Sequence, residues 1–413
     1  MTTSKDDVVP AFGKDIRKEF MLRENSVFLN HGAYGSIPRY VHERQARYLT
    51  ELESHPDIWF RYNVCTYLRT STAKVATFMG IHTEDTFLVQ NVTRAINTVL
   101  KSFPLQKSDA FLITSLTYVG VKMISAATVA RVEDHITSPS SIVLPVKHIV
   151  EVCHQHGMVI VVDAAHIPGQ LKVDVQDIDA DFYTGNLHKW LFCPRACAFI
   201  WTNPKRHHAW FKPLVTSTLD NESLHDAFAH EGTRDDTSYV CSADGIYYYE
   251  RLGGMFNVLL SLKNLGSIST FNVHVYKHMM HNLLTYFKII QEKIVQYNST
   301  LMAEGIKYLE EKWGTKCLAI PENMKAPCIR ILQLPFIPRF SDSLGSEGTD
   351  VSKGKNFELK KLILDRFDVS SCVVILEGQL MVRVSTQVYN TMDDFIRLGE
   401  AVLELTQKEE NGP

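Results

Sequence analysis

Two polar clusters in the middle of the chain combine residue types that could carry out chemistry. Asp163 and His166 follow a short run of β-branched residues, and His188 and Lys189 follow the next such run. Ligands of open α/β sheets bind at the carboxyl ends of the strands, so the carboxylate and the lysine could reach one crevice. A lysine in a partly desolvated site can lose its proton near neutral pH and act as a nucleophile. Taken singly, each cluster has an ordinary explanation as a loop cap or a solvated turn, but together they favour a shared site.

The elements that must position these clusters alternate along the first half of the chain. Short β-branched runs are separated by amphipathic stretches such as 94–102 and 146–156, whose apolar residues recur at helical spacing. This alternation is typical of a parallel α/β sheet whose faces are covered by helices. The predicted strands lie at 86–90, 111–114, 131–137, 159–163, 180–183 and 198–201.

The last part of the chain predicts a smaller α+β unit. Residues 339–356 are rich in Ser, Gly and charge, and we expect an exposed loop there. Residues 257–286 are apolar and aromatic but lack clear periodicity, so no structure is predicted for them. The predicted elements are a helix at 291–313, a strand at 328–334, a helix at 357–367 and a strand at 380–385.

Three histidines in the aperiodic segment raise the question of a metal. His274, His278 and His281 would share one face of a helix and could hold an ion. No carboxylate or cysteine is placed nearby to complete such a site, so a helix surface or a partly buried face is the favoured interpretation. We therefore predict no metal centre.

The composition limits the partners of the protein. Its 413 residues suggest two or three domains. Lys and Arg total 43 against 46 Asp and Glu, a net charge of -3, so no global positive field exists to hold nucleic acid or an anionic membrane. No apolar run approaches the roughly 20 residues of a membrane-spanning helix. The polar, acidic start lacks the pattern of a secretory signal, and the 8 Cys form no CxxC pair, so we expect a cytoplasmic chain with reduced thiols.

Seven motifs, in order along the chain, resemble those of one enzyme family. They are LNHGAYGSIP (29–38), QNVTRAINTVL (90–100), DHITSPSSIVLP (134–145), VVDAAHIPG (161–169), DFYTGNLHKW (181–190), EGTRD (231–235) and VRVSTQVYN (382–390). Together they make the chain similar to the class V aminotransferase family of pyridoxal phosphate (PLP) enzymes, within the branch that contains isopenicillin N epimerase and hercynylcysteine sulfoxide lyase. The resemblance implies an α/β, PLP-dependent transferase fold of type I, with a mostly parallel central sheet and a smaller C-terminal α+β domain.

The resemblance assigns catalytic roles to Lys189 and Asp163. Lys189 would form a Schiff base with the PLP aldehyde and later move the Cα proton. Asp163 would pair with the pyridine nitrogen and keep it protonated, which makes the ring an electron sink. Tyr118 would stack on the ring, with an ordinary core aromatic as the alternative. His166 and Ser138 would contact the phenolic oxygen.

The cofactor phosphate would be met by local donors, because the chain has no net positive charge. Thr93 and Arg94 open a helix after a strand, where free N–H groups and the helix dipole favour an anion. Asn186 and His188 would add side-chain donors. In the family, the position of Thr233 reaches across a two-fold interface into the neighbouring site, which implies a homodimer with shared active sites.

The substrate that the resemblance implies is an amino acid. Arg383 would hold its carboxylate with two parallel hydrogen bonds, although an arginine on a strand is otherwise usually solvent-facing. The N-terminal motif would bring Asn30 and His31 to the substrate.

Several reactions stay open once the Cα–H bond is broken, because PLP supports all of them. Our first choice is a C–S lyase, or a related elimination, on a cysteine-like compound. The alternatives are a PLP-dependent epimerase or aminotransferase, and a catalytically inactive homologue or splice form that acts as a binding partner. Cys372 precedes Arg383 as a nucleophilic cysteine does in cysteine desulfurases, but its apolar run predicts a strand and not a mobile loop.

The register of the family divides the chain into four parts. Residues 1–40 would contribute to the active site, 41–256 would form the large PLP-binding domain, 257–286 would be an insertion, and 287–413 would form the small domain. Residues 119–130 leave no room for the strand and helix that the family has before the HITS strand. This deletion and the insertion suggest an unusual splice form or an imperfect gene model.

Three positions that are commonly Gly in the family hold other residues here, namely Ala95, Ser141 and Ala196. Such a replacement matters only where the backbone takes a positive φ or another group approaches closely.

Overall fold

The computed structural model describes most of the chain. In the helix that begins at residue 273, side chains are described from residue 293. The predicted strand at 111–114, the shortened segment 119–130 and the three histidine side chains between 274 and 281 lie outside the described residues. The described residues are 9–104, 106, 117–118, 131–206, 208–217, 223–253, 273–341 and 354–407.

Three sheets organise the described part of the chain. Their strands are β1 (Val27–Phe28), β2 (Thr86–Val89), β3 (Arg131–Asp134), β4 (Ile160–Asp163), β5 (Phe182–Asn186), β6 (Ala198–Thr202), β7 (Ile329–Gln333), β8 (Val369–Ser370), β9 (Cys372–Leu376) and β10 (Gln379–Ser385).

Helices cover these sheets, and none of the described ones is both long and apolar enough to cross a bilayer. They are α1 (Lys14–Arg17), α2 (His31–Tyr34), α3 (Arg39–Ser54), α4 (Val64–Met79), α5 (Val92–Ser102), α6 (Val146–Gln155), α7 (Val175–Ile178), α8 (Leu187–Trp190), α9 (Leu224–Ala229), α10 (Thr237–Val240), α11 (Ser242–Leu252), α12 (Val273–Trp313), α13 (Pro338–Ser341), α14 (Lys355–Phe367) and α15 (Met392–Thr406). Shorter helical turns lie at Pro56–Ile58, Trp59–Asn63, Thr83–Asp85, Pro204–Arg206 and Glu322–Met324.

The large sheet has the strand order β2-β6-β5-β4-β3. Strands β3, β4 and β5 are parallel to one another, as predicted. Strand β6 is antiparallel to both of its neighbours, as the expectation of a mostly parallel sheet allows. Residues 187–197 are too few for the crossover that a parallel neighbour requires, so the chain turns back after β5. The central sheet is therefore mostly parallel.

Strand β4 lies at the centre of the core. Its residues are all buried, because helices cover both faces of the sheet. Ile160 and Val162 pack into the core on one face, while Val161 packs with Ile96 and Val99 of α5 on the other. A strand buried on both faces reads as a continuous apolar run, which explains why this strand was predictable.

The C-terminal unit is a second, smaller α+β layer. Its antiparallel sheet has the order β7-β10-β9, and α12, α14 and α15 pack against it through residues such as Leu309, Ile363 and Leu398. Helix α12 begins earlier than the predicted residue 291, so the expected boundary between 286 and 287 lies inside one helix. Helix α13 and the start of α14 occupy both ends of the segment that was expected to be a loop.

The N-terminal segment closes the fold. Strand β1 pairs in parallel with β8, and helix α2 then packs against α8. Gly35, which follows α2, has a φ of 68°, and a Cβ atom there would lie 1.9 Å from the carbonyl oxygen of His188. Only glycine permits this approach. The first residues of the chain therefore lie against the helical turn that carries Lys189.

The three replaced glycines differ in backbone conformation. Ser141 and Ala196 have φ values of 61° and 62°, in the left-handed region that favours glycine. Ala95 lies buried within α5, where alanine is the better residue.

Candidate active site

Lys189 lies in α8, the short helix that follows β5 at the carboxyl edge of the sheet. Its Nζ lies 3.0 Å from Nε2 of His166. Burial lowers the pKa of Lys189 to about 8; the Asp163 carboxylate opposes this change and the Arg383 guanidinium adds to it. A useful fraction of the amine is therefore unprotonated near neutral pH, as a nucleophile requires.

His166 follows β4 and faces the lysine. Burial holds the pKa of its imidazole well below the ordinary value, so the ring is neutral. The backbone carbonyl of His166 accepts a hydrogen bond of 2.7 Å from Nε2 of Gln170. Its Nδ1 is buried and finds no partner among the described residues, so this atom is free to bind a ligand.

Asp163 ends β4 and has an unexpected counterpart. Its Oδ1 accepts a hydrogen bond of 2.9 Å from the Ala165 amide, and burial raises its pKa against the opposing effects of that amide and Lys189. Asp134, at the end of β3, is the residue paired with it across the two parallel strands. Burial and the Asp163 charge raise the pKa of Asp134 to about 9. Asp134 opens the motif DHITSPSSIVLP, but nothing in the local pattern indicates a role for it.

Tyr118 lies beside this carboxyl pair. Its backbone N–H donates to Oδ2 of Asp134 over 3.2 Å. The side chain is partly exposed, and burial, together with Tyr34 and Asp163, raises the pKa of its hydroxyl. Tyr118 is therefore not an ordinary core aromatic, and its stacking on a cofactor ring stays a prediction.

Arg383 on β10 faces the same space from the small unit. Its Nη1 donates to the Ser138 carbonyl oxygen over 2.6 Å and to Oγ of the same residue over 3.1 Å. The residue is only 6 % exposed, and within the described ranges no carboxylate forms an ion pair with it. A buried guanidinium without an anion is a binding site for one. Ser138 therefore supports the arginine as well as bordering the cofactor space.

The start of α5 was predicted to hold an anion, and two side chains organise it. The Asn91 side chain caps the helix by accepting from the Arg94 amide over 2.8 Å, and the Val92 amide donates to Oδ1 of Asn186 over 3.1 Å. Asn186 is thus fixed at the helix N-terminus with its amide group available as a donor. Thr93 is exposed beside it. The capping role of Asn91 was missed, although an asparagine before a helix is its usual signal.

His188 does not fit its predicted role as a phosphate donor. Its Nδ1 donates to the Cys197 carbonyl oxygen over 2.9 Å. Burial lowers the pKa of the imidazole to about 4, so the neutral ring has no second proton to donate. This histidine instead holds the turn that carries Lys189.

His31 and Asn30 differ in whether their buried polar atoms have hydrogen-bond partners. His31 is buried with one ring nitrogen 2.7 Å from the Tyr389 hydroxyl and the other 3.2 Å from Nε2 of Gln387. Burial lowers its pKa to about 3, and both ring nitrogens lie close to protein groups. His31 therefore supports the surrounding structure and does not contact substrate. Asn30 is buried with an Oδ1 atom that lacks a described partner, which fits a ligand-binding role.

Thr233 lies away from this cluster in an exposed loop. Its neighbour Glu231 forms ion pairs with Arg94, at 3.3 Å, and with Arg234. The loop is therefore tied to the start of α5, where the anion site lies. Within this single chain the Thr233 side chain remains on the surface.

The donor set matches the functional groups of PLP. The amine of Lys189 could bond to the aldehyde, the Asp163 carboxyl could pair with the ring nitrogen, and the N-terminus of α5 could hold the phosphate. The free Nδ1 of His166 is a further polar atom that such a ligand would satisfy.

Comparison with known proteins points in the same direction. The family model described as Aminotransferase class-V matches residues 121–234. A putative L-cysteine desulfhydrase 1 from Oryza sativa subsp. japonica is 28% identical over 94% of this chain and 85% of that protein. A hercynylcysteine sulfoxide lyase from Schizosaccharomyces pombe is 23% identical over 95% of this chain and 97% of that protein. The solved cysteine desulfurase from Thermococcus onnurineus NA1 is similar in fold, with a TM-score of 0.68, 15% identity and 98% of each chain covered.

Proposed function

We propose that the chain, which is similar to the class V aminotransferase family of PLP-dependent, fold-type I enzymes, is a C–S lyase acting on a cysteine-like amino acid. The observation that carries the proposal is the placement of the Arg383 guanidinium, buried and without an acidic partner in the described chain, beside the Lys189 amine. An amino acid presents a carboxylate next to its Cα, so the guanidinium could hold the carboxylate while the amine takes the proton from the adjacent Cα.

The residues of this chain divide the work of the reaction. PLP, when bound, takes up the electron pair that is left when a bond at the substrate Cα breaks. Arg383 and Ser138 hold the carboxylate and so fix the orientation of the Cα–H bond. Lys189 removes the proton at Cα, because its lowered pKa leaves part of it unprotonated near pH 7, and it could pass that proton to the sulfur that leaves Cβ. The Asp163 carboxylate would pair with the ring nitrogen of the cofactor and keep it protonated.

The choice of elimination over other reactions is supported by relatives over nearly the whole chain. Those that match more than nine tenths of it include proteins described as cysteine desulfhydrases and a sulfoxide lyase. Cys372 begins strand β9 directly opposite Arg383, so it lies on a sheet and not on a mobile loop. This position does not favour the moving cysteine nucleophile of a desulfurase.

We further propose a homodimer that shares its active sites, and a cytoplasmic location. The exposed Thr233 loop, tied to the start of α5 through Glu231 and Arg94, supports the first. The 8 cysteines, all of them free, support the second, because reduced thiols are typical of that compartment. Sedimentation of the PLP-loaded protein tests the dimer, and a monomer alone would contradict it.

The direct test of the function is incubation of the PLP-loaded protein with L-cysteine. We expect sulfide, pyruvate and ammonia in equal amounts, with L-serine as the matched substrate that lacks sulfur. Release of an epimerised amino acid without sulfide would instead identify an epimerase. Formation of an oxo acid only in the presence of an amino acceptor would identify an aminotransferase. The absence of all products from a folded, PLP-bound protein would favour the inactive homologue.

A further inference from the structure

The site contains a buried carboxyl group that the proposed function leaves without a role. Asp134 ends β3 and is paired with Asp163 in the register of the two parallel strands. Paired residues on adjacent strands project to the same face, with their backbones about 4.8 Å apart. Both residues are buried, with 2 % and 4 % exposed.

Two such neighbours cannot both be ionised, because burial and mutual repulsion oppose the second charge. The surroundings favour the charge on Asp163, because its amide donor lies at 2.9 Å, closer than the 3.2 Å of the donor to Asp134, and because the Lys189 cation stabilises it. Lys189 is only the weakest influence on Asp134, whose pKa is raised to about 9. The proton of the pair is therefore on Asp134 at neutral pH.

The other groups that face Asp134 do not favour its ionised form enough to remove that proton. Tyr118 contributes its backbone N–H, which donates to Oδ2, and Glu133 on the same strand adds a like charge that favours the neutral form. Oδ1 is then the atom available to carry the proton. Asp134 thus connects the carboxylate expected at the ring nitrogen with the aromatic expected on the ring face.

We propose that Asp134 is a positioning residue of the cofactor site, a neutral carboxylic acid that keeps the single negative charge on Asp163 and holds the backbone of Tyr118. The inference rests on the proposed function in so far as PLP is the ligand that Asp163 and Tyr118 meet. Asparagine has the shape of the protonated acid and cannot ionise, so Asp134→Asn should preserve the function of the neutral acid. Alanine removes the acceptor of the Tyr118 amide and leaves a void.

The first experiment measures the dissociation constant of PLP by titrating the cofactor-free protein. We expect Asp134→Asn to lie within about twofold of the unsubstituted protein and Asp134→Ala to bind at least about tenfold more weakly. Glu151→Gln is the control, an exposed carboxyl on α6 away from the site, and it should leave the constant unchanged. Equal weakening by Asn and Ala would overturn the proposal, because the charge would then be what matters. Unchanged binding by the Ala variant would also overturn it.

The second experiment needs no cofactor and compares thermal unfolding as a function of pH. A carboxyl group has a pKa of about 4 in the unfolded chain, and that of Asp134 is raised to about 9 in the folded protein. Such a group lowers the free energy of unfolding as the pH rises from about 4 to about 9, because the unfolded chain releases its proton first. The melting temperature of the unsubstituted protein should therefore fall relative to that of Asp134→Asn across this interval. Parallel curves would overturn the proposal. Failure of the unsubstituted protein to bind PLP would contradict the proposed function instead, and the thermal comparison would still decide the state of Asp134.

Discussion

The side-chain nitrogen of Lys189 lies 3.0 Å from Nε2 of a buried His166 whose lowered pKa keeps it neutral. The neutral ring can accept at Nε2 only when its proton is on Nδ1. The lysine is thus held by a neutral acceptor, and the Asp163 carboxylate compensates only part of its desolvation. This arrangement presents an amine that can lose its proton without losing its position.

The attachment of PLP to Lys189 should accelerate with pH and level off above about pH 8. Only the unprotonated amine attacks an aldehyde, and its fraction increases about tenfold per pH unit below the pKa. Stopped-flow absorbance of the cofactor-free protein mixed with PLP measures the rate. A plateau reached only near the ordinary lysine value of about 10.4 would show that the site is not desolvated.

Lys189→Ala should abolish the covalent, borohydride-reducible attachment of PLP and lower turnover by about a thousandfold. The measurement is absorbance before and after borohydride, followed by peptide mapping of the modified residue. Lys172→Ala removes an exposed lysine and serves as the control, with no expected effect. Reducible attachment that persisted in Lys189→Ala would refute the assignment.

Arg383→Lys should raise the KM for amino acid substrates by about tenfold or more, because an ammonium cannot form the two parallel bonds of a guanidinium. Steady-state kinetics with L-cysteine measures the change. Arg330→Lys is the control: Arg330 lies on β7 opposite Val384, so its side chain projects to the other face of the same sheet. An unchanged KM in Arg383→Lys would place the carboxylate elsewhere.

Gly35→Ala should destabilise the protein far more than Gly80→Ala does. Both glycines have a positive φ, so both substitutions introduce backbone strain of about 1 kcal/mol. A Cβ atom at Gly80 meets nothing within 4 Å, whereas at Gly35 it would collide with the His188 carbonyl. Urea unfolding measures the difference, which we expect to be about 2 kcal/mol or more. Equal losses would mean that the N-terminal segment moves aside freely.

Ala196→Gly should stabilise the fold by up to about 1 kcal/mol, because the left-handed backbone there is strained for alanine. Ala95→Gly, at a position that is also commonly Gly in the family, should instead cost about 1 kcal/mol, since that residue lies inside helix α5. Denaturant unfolding of both variants provides the comparison. Effects of the same sign would contradict this distinction.

The central strands were predictable because burial on two faces gives continuous apolar runs, as in β4. The direction of β6 was not, since it depends on the length of its connection to β5 and not on the residues of the strand. Helix α12 was placed too late because apolar and aromatic residues before residue 291 obscure its period.

In the site, too, some features could be predicted from local sequence and others could not. Lys189, Asp163 and Arg383 were identified by motif, and the structure brings them to one crevice. The importance of Asp134 arises from a register with Asp163 that no local pattern displays. The tautomer of His188 likewise depends on the Cys197 carbonyl, which belongs to another element.

The closure of the N-terminal segment against the end of the chain sets the order in which the protein can mature during translation. The Gly32 amide donates to Oγ of Ser385, 353 residues later. Contacts between such distant residues form slowly, because a long loop must close first. At about 5–20 residues per second, Ser385 emerges about 10–40 s after Lys189. Until then the N-terminal segment lacks this hydrogen bond to β10, so the cofactor pocket, to which Arg383 of the same strand contributes, is completed only after β10 has emerged.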